Sequence, residues 1–298
     1  MSNVNITKRI TKQVSYEKNW VDHNFVKMTS QAIFSLRNRL KIGDQDNLSM
    51  MQGELGTLAV SYGYRGMVTI INNDESGWID IYKSSNYHML MLRICILNIF
   101  QRKGHFTYDL IDISNLLCVS IVYELRDEEE FFAKSYQRIL STPDAIHRPD
   151  LFWNKRFFEP FVYKLYSLFG TDLLKSNLVK DDLGIYTDII TYWKTPDKFV
   201  SILPGLCDYH CMNMFDNGGK WKPEFAFTPC ELIPFEILAI IKLRDRHGLS
   251  TPKFSHPLTD NLPGNLYPEK YDLSDDDNLR QIRLLCDKIF AQTTIEME

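Results

Sequence analysis

The chain has 298 residues, of which 44% are hydrophobic, 13% aromatic and 24% charged, and its formal net charge is −4. These proportions supply enough apolar side chains for a sizeable core, and they exclude the intrinsically disordered, collagen-like and membrane-spanning classes. The negative balance also argues against general nucleic-acid binding, so no nucleic-acid partner is expected. The apolar runs are far too short to span a bilayer, so no membrane partner is expected either.

The N-terminal region combines a polar segment with a basic helix. Residues 1–19 are polar and lack clear periodicity, which predicts an N-terminal arm with a short strand near its start. From Trp20 apolar residues recur at three- and four-residue steps, which predicts a helix ending at Gly43. Residues 1–41 hold eight basic residues against two acidic ones, and residues 260–298 hold nine acidic residues against four basic ones. These segments are either solvated faces or docking surfaces for partners of opposite charge.

A second helix is predicted over residues 48–72, and it is rich in glycine. Gly53, Gly56, Gly63 and Gly66 all fall within it. Each glycine weakens an isolated helix by about 1 kcal/mol relative to alanine. The four together indicate either close packing against another helix or a break near Gly63.

The middle of the chain shows repeated helical periodicity. The pattern predicts one helix that begins near Trp78. Five further helices are predicted at about 107–124, 127–141, 151–169, 181–193 and 196–214. The acidic run Asp127, Glu128, Glu129 and Glu130 lies at the start of one of these helices. Carboxylates there stabilise the positive end of the helix dipole, which is the simplest role for them. The same four residues are candidates for a partner-binding acidic face.

The C-terminal third contains a strongly apolar helix. Thr228, Pro229 and Glu231 have the spacing of a capping box, and Gly248 is placed to end the helix. Since residues 235–241 are apolar on nearly every side, this helix is expected to be central to its domain. After a loop-rich stretch over residues 249–272, a last helix is predicted. Its capping segment supplies a second candidate partner-binding face, formed by Asp275, Asp276 and Asp277.

Because no sustained strand alternation is present, the chain is predicted to be all-α. The expected architecture is an antiparallel array of about nine or ten helices, with an arm over residues 1–19 and a single helical domain over residues 20–298. The first twenty residues lack the apolar run of a signal peptide, so the cytoplasm is the expected location. In that reducing compartment the six cysteines are expected to be buried thiols.

Two metal-dependent arrangements are alternatives to a purely binding role. Cys207, His210, Cys211 and Cys230 could supply soft zinc ligands, but their spacing lacks a Cys-x-x-Cys pair, and buried thiols suit the same apolar pattern. A carboxylate site is the other option, and its residues would be Asp109, Asp112, Glu124 and Glu128. Neither set has a motif behind it, so no metal, no cofactor and no enzymatic activity are expected.

Several stretches resemble one protein family, and the strongest match lies in the C-terminal third. The segment Pro234–Leu249, PFEILAIIKLRDRHGL, and the Pro/His/Leu segment 252–258 after it resemble a late helix of the immunity protein forty-nine family. The stretches around Gly56–Gly66 and Trp78–Cys95 are similar to the same family. The resemblance implies a non-catalytic all-α protein that binds and neutralises a cognate secreted toxin domain of a bacterial polymorphic-toxin system. A helical adaptor with a different protein partner is the alternative.

Overall fold

A computed structural model describes residues 3–101, 110–141, 156–170, 174–214, 223–225, 229, 231–260, 262 and 269–295. The regular secondary structure of these residues consists of α-helices and two short 3-10 helices, Ser176–Leu178 and Gly184–Tyr186, which are joined by loops. The prediction of an all-α array of about nine or ten helices is confirmed. Among the helices that are described, none is both long and apolar enough to cross a membrane.

Helix α1 runs without interruption from Asn3 to Ile42. The strand expected near the start of the chain was therefore wrong, and the helix begins well before Trp20. Its first turns bury Ile6, Ile10, Gln13 and Glu17, which follow one another at four-, three- and four-residue steps. Two of these four positions are polar, and this is why the helical period was not recognised in the sequence.

Gly43 ends α1 as predicted, with a φ of +66° that favours glycine. Helix α2 (Gln45–Met50) follows at once, and the carboxylate of Asp44 accepts a hydrogen bond from the backbone N–H of Asn47 at 2.8 Å. Asp44 is thus the N-cap of α2, a position at which a short side-chain acceptor stabilises the first turn.

Helices α3 (Gln52–Ile71) and α4 (Gly77–Gln101) form a hairpin with close backbone approach. A Cβ atom at Gly66 would lie 2.8 Å from the carbonyl oxygen of Gly77, and one at Gly56 would lie 3.2 Å from the sulfur of Met91. The prediction of close helix packing is confirmed at these two glycines, and α3 continues through Gly63 without a break.

This contact predicts opposite effects for two alanine substitutions in α3. Gly66→Ala should lower the free energy of unfolding by about 1–3 kcal/mol, since the new methyl group meets backbone and forces the helices apart. Gly53→Ala is the control, because nothing lies within 4 Å of its Cβ position. There the stability should be unchanged or raised by at most about 1 kcal/mol. Urea denaturation compares the two variants, and equal destabilisation would contradict the packing argument.

The next helices are α5 (Leu110–Val122), α6 (Arg126–Leu140) and α7 (Phe158–Phe169). All residues of α5 except Asp112 are buried, and this helix packs against α6, α7 and α10 (Phe235–Arg246). The apolar helix around residues 235–241 is therefore central to its part of the molecule, as its sequence predicted.

Between α7 and α10 lie α8 (Thr187–Thr191) and α9 (Pro196–Asn213). Helix α10 begins at Phe235, directly after Pro234, rather than at the predicted capping box. Proline disfavours helical backbone in the residue before it, so Ile233 and the residues ahead of it do not join the helix. Thr228 lies outside the described residues. Gly248 follows the helix with a φ of +68°, so the predicted stop is confirmed.

Arg244 fastens the end of α10 to its surroundings. Its side chain is fully buried and donates hydrogen bonds to the carbonyl oxygens of Trp193 and Ser250 and to the hydroxyl of Thr251. The guanidinium also lies over the ring of Phe199, 3.9 Å from its centroid. Two loops and an aromatic ring are therefore held by one side chain.

The chain ends with α11 (Pro257–Asp260) and α12 (Asp277–Ile295), and it divides into two compact units. Unit 1 comprises residues 1–13 and 107–267, and unit 2 comprises residues 14–106 and 268–298. Unit 1 is centred on α5 and α10, whereas unit 2 is built on the α3–α4 hairpin with α12 packed against α4. Whether residues 20–298 unfold as the single predicted domain stays a prediction.

Candidate functional site

Unit 2 contains an open cleft of about 290 Å³, called the Tyr–Arg cleft below. Its lining includes Tyr82, Asn86, Tyr271, Ser274, Arg280 and Arg283. One wall is α4, the other is the first part of α12, and the segment before α12 closes one end. Two stretches of chain that are distant in sequence, residues 82–86 and 271–283, thus form the cleft.

Helical spacing explains how the two walls present these side chains. Tyr82 and Asn86 are four residues apart on α4, and Arg280 and Arg283 are three residues apart on α12, so each pair shares one helix face. The Nη2 of Arg283 donates to the Oδ1 of Asn86 at 2.6 Å, which joins the walls. The rings of Tyr82 and Tyr271 lie 6.1 Å apart between centroids, at an interplanar angle of 55°.

Asp276 lies directly before α12 and is only 8% exposed. Its carboxylate caps α12 by accepting from the N–H of Leu279 at 3.2 Å, and it also accepts from the hydroxyl of Tyr87 at 3.0 Å. The ammonium of Lys83 lies 2.6 Å from the same carboxylate. Burial alone would lower the pKa of Lys83, but Asp276 and the neighbouring Tyr62 outweigh it, and the pKa is raised. Lys83 therefore stays charged and holds Asp276 in place.

A row of cations and aromatic rings continues from this pair toward α1. Lys83 lies over the ring of Tyr62, and the guanidinium of Arg65 lies over the ring of Phe25, at 4.4 and 4.3 Å from the centroids. Arg65 also forms two hydrogen bonds of 2.5 Å to the carboxylate of Asp80. Since each cation is held by both a carboxylate and a ring, the cleft is fixed to α1, α3 and α4 by directional contacts.

The arrangement is suited to binding rather than to bond making. Arginine presents a planar fork of donors that matches carboxylates, and tyrosine offers a rigid ring with a polar tip. Both residue types are enriched where one protein buries contacts with another. The cleft can therefore hold a planar or polar side chain of a partner, with Arg283 as a donor and Tyr82 and Tyr271 as walls. Asp272 also lines the cleft, and Arg280 is already paired with Asp277.

The acidic residues predicted to bind a partner beside α12 are divided between surface and interior. Asp275 and Asp277 are exposed, and Asp277 pairs with Arg280 at 2.5 Å on the rim of the cleft. Asp276 is buried and bonded as described above, so it cannot contribute to an acidic face. The segment caps α12, as its sequence predicted, and of its three aspartates only Asp275 and Asp277 lie on the surface.

The acidic run before α6 is divided in the same way. Asp127 and Glu130 are exposed and Glu128 is half-buried, whereas the side chain of Glu129 is fully buried. The carboxylate of Glu129 receives two hydrogen bonds from Arg246, at 2.6 and 2.9 Å. Glu129 thus pairs with Arg246 of α10 in the interior, and it is not part of the predicted acidic face.

The candidate zinc ligands lie in unit 1. Cys207 and Cys211 are buried one turn apart on α9, and burial raises the pKa of both thiols, that of Cys211 to about 12. The Nδ1 of His210 lies 2.8 Å from the carboxylate of Glu236, and its Nε2 lies 3.0 Å from the carbonyl oxygen of Glu231. Both ring nitrogens are therefore engaged by protein atoms. Cys230 lies outside the described residues.

The residues of the Tyr–Arg cleft were not predicted from the sequence. Each pair has a helical spacing that a sequence displays, but such spacings occur on every amphipathic helix. The signal that unites them is the contact between α4 and α12, whose joined residues Asn86 and Arg283 are 197 positions apart. A single sequence carries no information on a pairing at that distance.

No family model matches the chain, and neither a curated protein nor a solved structure matches it.

Proposed function

We propose that this protein is an immunity protein, which binds a cognate secreted bacterial toxin domain and neutralises it by stoichiometric occlusion. The observation that carries the proposal is the Tyr–Arg cleft, whose residue types are those that dominate protein–protein contacts. The resemblance of residues 234–249 to an immunity family names the class of partner. Occlusion needs a rigid surface and no chemistry, which an all-α fold provides.

The contacts that join α4 to the start of α12 support a binding role. A surface whose side chains are already held in place loses less conformational entropy when a partner arrives. Asp276, Lys83 and the rings next to them hold the α4 and α12 walls before any partner binds. The cleft is therefore preorganised, which favours affinity in a protein that must outcompete the toxin's own substrate.

Co-expression tests this proposal. The C-terminal domain encoded by the neighbouring upstream gene is expressed with and without this protein, and both growth and co-purification are measured. We expect the domain alone to stop growth, and we expect rescue to coincide with a one-to-one complex. Toxicity without rescue and without a complex would reject the proposal. A stable complex with a domain that is not toxic would instead favour the helical adaptor.

Substitution in the cleft gives a further prediction. Tyr271→Ala and Arg283→Ala should each weaken binding of the toxin domain by about tenfold or more, since truncating a tyrosine or arginine anchor costs at least about 1.4 kcal/mol. The matched control is Tyr192→Ala, because Tyr192 is a half-buried tyrosine of unit 1 that does not line the cleft. Calorimetric titration measures all three. Equal affinities for cleft and control variants would show that another surface makes the contact.

A further inference from the structure

The outward side of α1 carries a row of basic and aromatic residues at regular intervals. Its members are Tyr16, His23, Lys27, Phe34, Arg37 and Lys41, called the α1 seam below. Lys27, Phe34 and Lys41 follow at seven-residue steps, and Arg37 lies three and four residues from the last two. Such spacing places side chains on one face of a helix. All six are exposed, so this face of α1 points to solvent.

The seam is positively charged, with Lys27, Arg37 and Lys41 as its cations. Neither Lys27 nor Arg37 has an ion-pair partner within the described part of the chain, and Lys41 bonds only to the neutral side chain of Asn38, at 3.3 Å. Of the two acidic residues of α1, Glu17 is buried, and Asp22 is exposed next to His23. Three of the eight basic residues counted over residues 1–41 thus lie together on this face.

Large apolar side chains stand among these cations. Phe34 is 70% exposed and Tyr16 is 54% exposed. Phe34 lies between Lys27 and Lys41, so an aromatic centre is bordered by charge at both ends. Interfaces between proteins have this composition, with an aromatic anchor inside a polar rim. The seam spans 26 residues from Tyr16 to Lys41, which corresponds to about 38 Å at the helical rise and suits an interface of standard size.

The density of charge distinguishes a protein partner from a nucleic acid. A DNA duplex carries one phosphate charge per about 1.7 Å. Three full cations over about 38 Å are sparse beside that, and an exposed phenylalanine at the centre suits an apolar pocket. The chain as a whole is also negative, at −4. These features favour a protein surface that combines carboxylates with a pocket for one ring.

We infer that the α1 seam is a docking surface for an acidic protein surface, with Phe34 as its central anchor. The inference rests on the proposed function, and the acidic surface is assigned to the toxin domain. From the sequence, the candidate partner-binding residues were acidic, which suits a basic partner surface. The seam instead suits an acidic partner surface. Opposite charges across this contact speed encounter and exclude partners of like charge.

A comparison of variants on the same helix, two of them charge reversals and one a truncated ring, tests the inference. Arg37→Glu and Phe34→Ala alter the seam. Lys18→Glu is the matched control, since Lys18 is an exposed cation of α1 outside the seven-residue pattern and produces the same change in net charge. Circular dichroism first establishes that the variants are folded. Surface plasmon resonance then measures association and dissociation of the purified toxin domain at low and high salt.

We expect each seam variant to weaken binding by about tenfold or more, and Lys18→Glu to change it less than about twofold. Arg37→Glu should act mainly by slowing association, and it should flatten the dependence of that rate on salt. A wild-type complex that the seam variants leave unchanged would overturn the inference while the proposed function stands. Failure of the wild-type protein to bind or to rescue growth would overturn both.

Two further measurements identify other occupants of the seam. Binding of a 25-base-pair DNA duplex that Arg37→Glu abolishes would assign the seam to nucleic acid and overturn the inference. Sedimentation of the protein alone tests for a second copy of the chain. A concentration-dependent dimer that Phe34→Ala dissociates would overturn the inference as well.

Discussion

Glu129→Gln is expected to lower the free energy of unfolding by about 3–5 kcal/mol, the cost of breaking a buried ion pair by removing one partner. The carboxylate of Glu129 is inaccessible to water, and its partner Arg246 has only 13% of its side chain exposed. The glutamine keeps the shape but removes the charge, so Arg246 is left buried and uncompensated. Denaturation by urea, followed by circular dichroism, measures the loss.

The neighbouring residue provides the control. Glu130 belongs to the same acidic run, but its side chain is 55% exposed and it pairs with Lys134 one turn away. Glu130→Gln should change stability by no more than about 0.5 kcal/mol, as is usual for exposed pairs on a helix. Equal losses for the two glutamates would show that the contact with Arg246 is not responsible.

A double replacement separates the pair from the space that it fills. Glu129→Met combined with Arg246→Met removes both charges and keeps apolar volume. It should recover most of the stability that Glu129→Gln loses, because a buried pair often contributes little beyond what well-packed apolar residues provide. If the double variant is as unstable as the single one, the hydrogen bond from Arg246 to the carbonyl oxygen of Ile121 is the important contact.

The second large effect is expected at Asp276. Asp276→Ala removes the partner of Lys83, the acceptor for Tyr87 and the cap of α12 together. Loss of the ion pair costs about 3 kcal/mol or more, and loss of an N-cap costs about 1 kcal/mol. Hydrogen exchange should show that the first turns of α12 lose protection, and urea denaturation gives the total change in stability.

Two aspartate-to-asparagine variants divide this effect. Asp276→Asn keeps an oxygen that can cap the helix, so it should be about 1 kcal/mol more stable than Asp276→Ala while the charge on Lys83 stays uncompensated. Asp277→Asn is the surface control and should lie within about 0.5 kcal/mol of the wild type. If Asp276→Asn were as stable as Asp277→Asn, the contact with Lys83 would contribute nothing measurable.

The helices were largely predictable because helical periodicity is local. The residues that form one face of a helix lie three and four positions apart, so a short window contains the whole pattern. Gly43 and Gly248 end helices by adopting a backbone conformation that glycine favours, and this too is a property of single positions. The start of α1 was missed because Gln13 and Glu17 occupy buried positions where the pattern requires apolar residues.

The candidate site was not predictable, because burial of a charged residue is decided by distant parts of the chain. Glu129 and Glu130 share one acidic run and Asp276 and Asp277 share another, so residue type does not separate the members of either pair. Glu129 is buried because Arg246 arrives from 117 positions away, and Asp276 is buried because Tyr87 arrives from 189 positions away. The same dependence applies to the Tyr–Arg cleft, which exists only where α4 meets α12.

Each unit is assembled from two separate stretches of chain, and this has a consequence for biosynthesis. Residues 14–106 leave the ribosome before residues 107–267, but unit 2 also requires residues 268–298. Helix α12 packs against α4, so the apolar surface of α4 that it covers stays open until the last stretch has been translated. Folding of unit 2 is therefore completed only after residues 268–298 have been made, which is after all of unit 1 has been translated. The Tyr–Arg cleft cannot form before then, because Tyr271, Arg280 and Arg283 belong to this late stretch.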